Sequence, residues 1–512
     1  MRNFGHSVDP TCLIAAKRIW TNWKEGTRIV VDRIFNLTGK GELSLGRFLA
    51  RAVKLFVGQP QFACFQPQTG PYEPLEPNSP FIGCLQMMEK KERTGLEAAI
   101  DRTLDKRRSQ STIRQLTTNR PNSVDFSSND FLSLASNEEL RRAYLDELLR
   151  GPRNTGSGGS RLLDGNSKYA ESLEQEIADF HGAPAGLLCN SGFDANVGLF
   201  SSLPQPGDVV IYDEFIHASV HDGMRLSRAG KCICFVHNDA SALRSVLQQL
   251  VLDDILVQNG KRNVFVAVET VYSMDGDVAP LKKIVGLMKE MLPARNGYLI
   301  VDEAHSTGIY GPKGRGMVSE LGLEREVTVR LHTFGKALAC NGAVLLCSPV
   351  IRQYLVNYAR PLIYTTFMSY PALAAIRASY SFLLKGNTEP LARNLGVLVK
   401  ALHGRLLAIQ EDLRLDSGTY ALLRVPAECP KSPIFAVLSS EPKALAAYCQ
   451  CNGLVVRGIV PPTVPAGTER IRVCLHAGNT IQQLDDLVDT IKSWVERRKA
   501  DIVVAQQVRA RL

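Results

Sequence analysis

Gly297-Tyr-Leu-Ile-Val-Asp302-Glu303-Ala304-His305 is an apolar run that stops abruptly in titratable groups. Downstream, a second β-prone run, Val327-Thr-Val-Arg-Leu331, leads into His332-Thr333-Phe334-Gly335-Lys336-Ala337. Ligands of open α/β sheets sit beyond the carboxyl ends of the strands, so two strands that finish in charged side chains mark one candidate site. Outward from this pair the pattern repeats. Apolar runs at Gly186–Cys189, Val209–Tyr212, Lys231–Val236 and Val264–Val268 alternate with helical stretches, including Ala240–Val257 and Leu281–Met291. Strands alternating with helices predict a mostly parallel central sheet covered on both faces.

The flanks read differently. Glu89–Asn119 predicts a charged amphipathic helix, and Val124–Leu132 a strand entering a loop. One further strand, Ala343–Cys347, precedes a long helical stretch from Ser348 to about Leu413. Short apolar runs at Ser432–Leu438, Leu454–Val460 and Ile471–Leu475, with a helix over Thr480–Arg498, predict a smaller α+β domain. The expected boundaries are a poorly ordered extension over 1–88, an amino-terminal arm over 89–150 and a large α/β domain over 151–385. A small carboxyl-terminal domain over 386–499 and a tail over 500–512 follow.

Composition excludes several functions. The 512 residues are 45% hydrophobic and 22% charged, as in ordinary globular chains. Residues 1–60 hold ten Lys/Arg against four Asp/Glu, so +6 of the net +9 lies there and only +3 on the rest. A nearly neutral body carries no nucleic-acid footprint. No apolar run reaches the ~18 residues of a membrane span. The twelve Cys include Cys232-x-Cys234 and Cys449-x-Cys451 but no second matching pair for either, so no metal site is expected. Basic residues at helical spacing within Ile19–Phe56 fit a presequence or a membrane-surface helix less well than a loose extension, because Glu25, Asp32 and Glu42 interrupt them.

The chemistry concentrates at the strand ends. A lysine in a tight turn (Gly335-Lys336-Ala337) is desolvated, and a desolvated lysine is an imine-forming nucleophile. The bland alternative is a solvated surface lysine. Asp302 closes an apolar run, which is costly unless a cation pairs with it; a protonated pyridine nitrogen is such a cation, and a simple turn cap is the alternative. Ser191-Gly192-Phe193 falls between a strand and a helix, where backbone N–H groups cradle phosphate, as any βα loop can. The Gly156-Ser-Gly-Gly159 loop lacks a Walker lysine. His217 could stack on a flat ring or simply pack, and Arg472 could clamp a carboxylate or lie on a solvated strand face.

From about Leu96 to Ser493 the chain resembles the α-oxoamine synthases, fold type I enzymes dependent on pyridoxal 5′-phosphate (PLP). Phe126-Ser-Ser-Asn-Asp-Phe131, Gly156-Ser-Gly-Gly-Ser-Arg161, Asn190-Ser-Gly-Phe193, His217-Ala-Ser219, Tyr272-Ser-Met-Asp-Gly-Asp277, Asp302-Glu-Ala-His305, Thr333-Phe-Gly-Lys336 and Arg457–Pro465 carry it, in order. The resemblance implies that Lys336 forms a Schiff base with PLP and Asp302 pairs with its pyridinium nitrogen. His305 would bond the phenolic oxygen and His217 would stack on the ring. Gly192, Phe193 and Thr333 would hold the phosphate, and Ser273 would touch the cofactor. Arg472 and Asn129 would bind an amino-acid carboxylate, and Arg114 and Thr463 would face the second substrate.

It further implies a homodimer catalysing decarboxylating condensation of an amino acid with an acyl-CoA. Leu104-Asp-Lys-Arg-Arg108 with Arg114, Ser273–Pro280 and Pro461–Thr468 are most similar to the branch that joins alanine to pimeloyl-CoA in biotin biosynthesis. The loop Ser160–Asn166 departs from one bacterial version, and residues 1–88 have no counterpart in compact bacterial enzymes. The alternatives are a relative using a longer acyl or polyketide thioester, an aminotransferase, and a silent partner subunit. Ala510-Arg511-Leu512 matches a peroxisomal address; the chain is otherwise expected in the cytoplasm.

Overall fold

The computed structural model describes residues 94–110, 112–413 and 422–511; the expectations for 1–88 lie outside them. The chain divides into two units, 1–115 and 116–512. In the first, α1 (Gly95–Ser109) has a reciprocal capping box between Thr94 and Glu97 and Lys106, Arg107 and Arg108 in its last turn, which suits the helix dipole. It is shorter than the predicted Glu89–Asn119 at its carboxyl end.

The second unit opens with β1 (Val124–Asp125), α2 (Glu138–Arg150), α3 (Lys168–Phe180), β2 (Ala185–Cys189) and α4 (Gly192–Ser202). Next come β3 (Val209–Asp213), α5 (Ala218–Arg225), β4 (Lys231–Phe235), α6 (Ala240–Asp253), α7 (Ile255–Gln258), β5 (Val264–Glu269), α8 (Leu281–Met291) and β6 (Gly297–Asp302). Then follow α9 (Met317–Glu320), β7 (Val329–Thr333), β8 (Ala343–Cys347), α10 (Pro349–Tyr358), α11 (Arg360–Ile363), α12 (Tyr370–Leu384) and α13 (Glu389–Asp412). The last part holds β9 (Ile434–Leu438), α14 (Pro442–Cys451), β10 (Leu454–Val455), β11 (Arg457–Ile459), β12 (Arg470–Cys474) and α15 (Ile481–Arg511).

Seven strands form one sheet in the order β2-β8-β7-β6-β5-β3-β4. Only β8 runs against the others, pairing antiparallel with both β2 and β7. The sheet is therefore the mostly parallel one expected for fold type I. Every residue of β5 is buried, as a central strand with helices on both faces requires, whereas edge strand β4 exposes Lys231, Cys232 and Cys234. One helical layer buries Leu243, Leu247, Ile284 and Met288 against Val209, Val264 and Leu299. The other brings Leu199, Phe200 and Leu355 against Val210, Ala267 and Val329. Each fully buried side chain of this kind contributes ~1.5–3 kcal/mol.

The single helical stretch predicted over 348–413 is four helices, each with Pro at its first or second position. Proline there loses no hydrogen bond and starts a new helix. The run Leu454–Val460 likewise divides: β10 pairs parallel with β1, while β11 joins β12 and β9 in an antiparallel sheet. Phe126, Phe131, Leu398, Leu402, Val473, Leu487 and Ile491 share a core between β1, α13, that sheet and α15. Among the described residues no helix is long and apolar enough to cross a membrane.

Candidate active site

Glu269, Asp302 and Thr333 end three neighbouring parallel strands, and Glu269 and Asp302 are direct register partners. Parallel partners in register project from the same face, so two carboxylates stand side by side where the strands stop. Asp302 is buried; its Oδ2 accepts from Asn196 Nδ2 of α4 at 3.0 Å and its Oδ1 from the Ala304 N–H at 2.9 Å. Burial drives the Glu269 carboxyl far above the usual range, and the Asp302 charge pushes it further. Burial thus favours the neutral form of Glu269.

Lys336 lies just beyond β7, partly buried. Burial lowers its ammonium below the ordinary lysine value; Asp302 and Glu269 oppose the shift and Arg472 adds to it. The sequence expectation of a desolvated lysine beside Asp302 therefore matches the site's electrostatics. His305, also buried, is pushed far down by burial, with Lys336, Arg472 and His217 adding to the effect.

His217 caps α5 from its surface. Its Nδ1 accepts the Ser219 N–H at 3.2 Å and lies 2.8 Å from Ser219 Oγ. An atom that accepts from a backbone N–H carries no proton, so the imidazole is neutral with its proton on Nε2. Partial burial favours the same form, with Lys336 and His221 adding to it and the Asp302 charge opposing. Asn196 Nδ2 also reaches Ser219 Oγ at 3.0 Å, so His217, Ser219, Asn196 and Asp302 form one continuous network.

Ser191 caps α4 by accepting from the Asp194 N–H, leaving the first-turn amides of the helix pointing outward. A Cβ on Gly192 would lie 2.4 Å from Thr333 Cγ2, so only glycine lets this helix start meet Thr333. Phe193 is 45% exposed and its ring stands edge-on to His217 at 6.3 Å.

Arg472, on β12, is buried rather than on a solvated strand face. Its Nε donates to Ser273 O at 2.5 Å, Nη2 to Asn129 Oδ1 at 2.9 Å and Nη1 to Ser127 O at 3.4 Å. Asp125 Oδ1 fixes the Asn129 turn by accepting the N–H groups of Ser127 and Ser128. Lys336, Asp302, His305, His217 and Arg472 thus share one electrostatic centre, with Asn129 and Ser273 on Arg472. Thr463 is exposed, its N–H closing a local turn onto Val460 O at 3.1 Å, and no hydrogen bond ties it to this centre among the described residues. Arg114 belongs to the first unit and is exposed there.

Sequence reasoning missed Asn196, Ser219 and Glu269. Ser219 stands in the quoted His217-Ala-Ser219 motif, and Asn196 one helical turn beyond Gly192. Both could have been found by asking which side chains share a face with the assigned ones.

Two buried polar atoms at this centre have no hydrogen-bond partner among the described residues: Thr333 Oγ1 and His305 Nδ1. Buried polar atoms are ordinarily satisfied, so these suit groups of a bound molecule. A phosphate at Thr333 and the α4 amides, with a cationic heterocycle at Asp302, fits the donors and acceptors present.

Residues 121–491 match the family described as aminotransferase class I and II. The chain is 55% identical to an 8-amino-7-oxononanoate synthase of Emericella nidulans, over 75% of this chain and 92% of the relative. It is 42% identical to an aminoacyl transferase, SphA, of Aspergillus fumigatus, over 77% of this chain and 86% of the relative. A serine palmitoyltransferase from S. paucimobilis, solved with a bound PLP–myriocin aldimine, superposes with TM-score 0.67 and 26% identity, covering 79% of this chain and 99% of that one. The chain belongs to the aminotransferase class I and II family, with the type I fold of PLP-dependent transferases. More narrowly, it is an α-oxoamine synthase, a PLP-dependent acyltransferase.

Proposed function

We propose that this enzyme condenses L-alanine with pimeloyl-CoA, releasing CoA and CO2, to give 8-amino-7-oxononanoate for biotin biosynthesis. The observation that carries the reading is the meeting of a desolvated Lys336, the Asp302 carboxylate and a buried, oriented Arg472 at one centre. The likeness to the Emericella nidulans enzyme supports these substrates in particular.

PLP, when bound, supplies an electron sink for negative charge developed at the amino acid's α-carbon. Lys336 holds the cofactor and, with its ammonium disfavoured by burial, takes the α-proton on Nζ. Asp302, fixed by Asn196 and the Ala304 N–H, keeps the proton on the cofactor's ring nitrogen. His217 presents its neutral ring to the cofactor's face, and His305 offers Nδ1 to a polar group at the ring's edge. Gly192, Phe193 and Thr333 hold the phosphate, and Ser273 borders the cofactor. Arg472, held by Ser273, Ser127 and Asn129, grips the substrate carboxylate until it departs as CO2. Thr463 serves the acyl-CoA.

We extend the proposal to a homodimer, checked by light scattering, and to peroxisomal import through Ala510-Arg511-Leu512, checked by the location of a tagged chain with and without Leu512. The substrate test is a CoA-release assay across alanine, serine and glycine against pimeloyl-CoA and palmitoyl-CoA. Highest kcat/KM for alanine with pimeloyl-CoA is expected. Preference for serine with palmitoyl-CoA would favour the long-acyl reading suggested by the SphA and serine palmitoyltransferase likenesses.

A further inference from the structure

Outside the catalytic centre, one cluster of titratable groups joins three separate segments. His237 follows β4, and its Nδ1 lies 2.7 Å from Oδ1 of Asp213, the last residue of β3. Its Nε2 lies 2.7 Å from Oδ2 of Asp277, in the turn after β5. The Asn238 amide also donates to Asp277 Oδ2, at 2.5 Å. Asp213 accepts two backbone N–H groups as well, Phe215 on Oδ1 at 2.9 Å and Asn238 on Oδ2 at 2.8 Å. The other partners of these oxygens, the Phe215 and Asn238 N–H groups and the Asn238 amide, are donors, so the carboxylates act as acceptors and each ring nitrogen donates to one of them. His237 is therefore an imidazolium held between two anions. Phe215 stacks on it at 4.4 Å and Tyr272 meets it edge-on at 4.4 Å.

The turn that His237 grips is the one Arg472 leans on. Residues 271–278 close on themselves through Tyr272 N–H to Asp277 O, Gly276 N–H to Tyr272 O and the Val271–Val278 bridge. Gly276 has a φ of +74°, and a Cβ there would strike Ile434 O at 2.3 Å, so the turn lies directly on the small domain. Ser432 Oγ donates to Gly276 O at 2.6 Å. Arg470 pairs with Asp275, and Arg472 Nε donates to Ser273 O. One side of the turn is thus fixed to the seven-stranded sheet by His237, the other to β12 by two arginines. Phe215, on the other flank of His237, leads directly into His217.

We infer that His237 is a positioning residue: its two-carboxylate clamp sets the 271–278 turn, and through Ser273 the angle at which Arg472 meets a substrate carboxylate. The inference rests on the function proposed above for Arg472. The turn's carbonyl at Ser273 takes up the Nε edge of the guanidinium, so a turn that slackens lets Arg472 rotate away from the substrate. The cofactor contacts assigned to Thr333, Gly192 and Asp302 lie on β7, α4 and β6, outside the turn, which touches the cofactor only at Ser273.

The test is His237→Gln in the full-length holoenzyme, beside wild type. The expected result is faster amide hydrogen exchange within 271–278 and a roughly tenfold rise in KM for the amino acid. KM for the acyl-CoA, kcat and cofactor content should change by less than about threefold. Asp277→Asn, which keeps an acceptor oxygen for Nε2 but removes its charge, should fall between wild type and His237→Gln in exchange and in amino-acid KM. Unchanged exchange in 271–278 together with an unchanged amino-acid KM in His237→Gln overturns the inference. So does an equal rise in both KM values, which would mark a general structural role. If His237→Gln fails to fold, Asp277→Ala removes only the outer end of the clamp and is read by the same criteria. Failure of the proposed reaction would instead appear in wild type, whereas the exchange readout needs no turnover.

Discussion

Asn196 donates one amide nitrogen to both Asp302 and Ser219, and so couples the acid at the end of β6 to the imidazole at the start of α5. Replacing it with alanine leaves a buried carboxylate oxygen short of a donor, a loss of ~1.5–3 kcal/mol. Asn196→Ala should weaken PLP binding by about 10- to 100-fold, read by cofactor titration of the apoprotein. Glu269 predicts the reverse. Burial next to Asp302 favours its neutral form, so Glu269→Gln exchanges one neutral group for another and should hold kcat/KM within roughly threefold. A loss of a hundredfold would show that its charge is used. Lys336→Ala should lower kcat by about a thousandfold or more, and borohydride should no longer fix the cofactor to the chain. Lys336, Asp302, His305 and His217 were legible in sequence because each interrupts or follows an apolar strand, where a titratable group needs a reason. Asn196, Ser219 and Glu269 were not, because their partners lie on other elements and nothing local marks them. Arg472 was legible only as one of two readings, since strand alternation places Arg470 and Arg472 on the same face without saying that the face is buried.

At the level of elements, His237 joins β3, β4 and the turn after β5 by charge. Held between Asp213 and Asp277, its pKa rises to about 10, burial opposing and the two carboxylates raising it. An imidazole unfolded titrates near ~6.5. The folded value lies above the unfolded one, so the clamp's stabilisation is complete below about pH 6.5 and is lost as pH climbs through about 10. With Asp277 partly in water, ~2 kcal/mol is a sensible size near neutrality. His237→Gln should therefore melt a few degrees, about 2–5 °C, below wild type at pH 6, with the gap narrowing toward pH 10. A gap that widens with pH would contradict the ionic clamp. The order of elements was legible because buried parallel strands are short apolar blocks separated by helical periodicity. Their direction was not. Little in Ala343–Cys347 distinguishes the one antiparallel strand, because it is fully buried and its neighbours β2 and β7 are each buried at all but one residue. The four helices over 349–412 could have been separated by their prolines, Pro349, Pro361, Pro371 and Pro390, each at a helix start.

Across the whole second unit, the active centre is where two sheets meet. The seven-stranded sheet supplies Asp302, Thr333, Lys336 and the loop bearing His217; the small antiparallel sheet supplies Arg472. The turn at 271–278 joins them, so cofactor chemistry and grip on the substrate carboxylate come from different layers of one fold. In the proposed reaction, that division would separate proton removal at Lys336 from retention of the carboxylate at Arg472 until the last step. The most direct measurement follows carboxyl-labelled L-alanine with pimeloyl-CoA in the presence of PLP, counting free CoA and labelled CO2 together. One labelled CO2 for each CoA released is the expected result, with neither formed by Lys336→Ala. CoA release without labelled CO2, or conversion of alanine to its oxoacid without CoA release, would contradict a decarboxylating condensation.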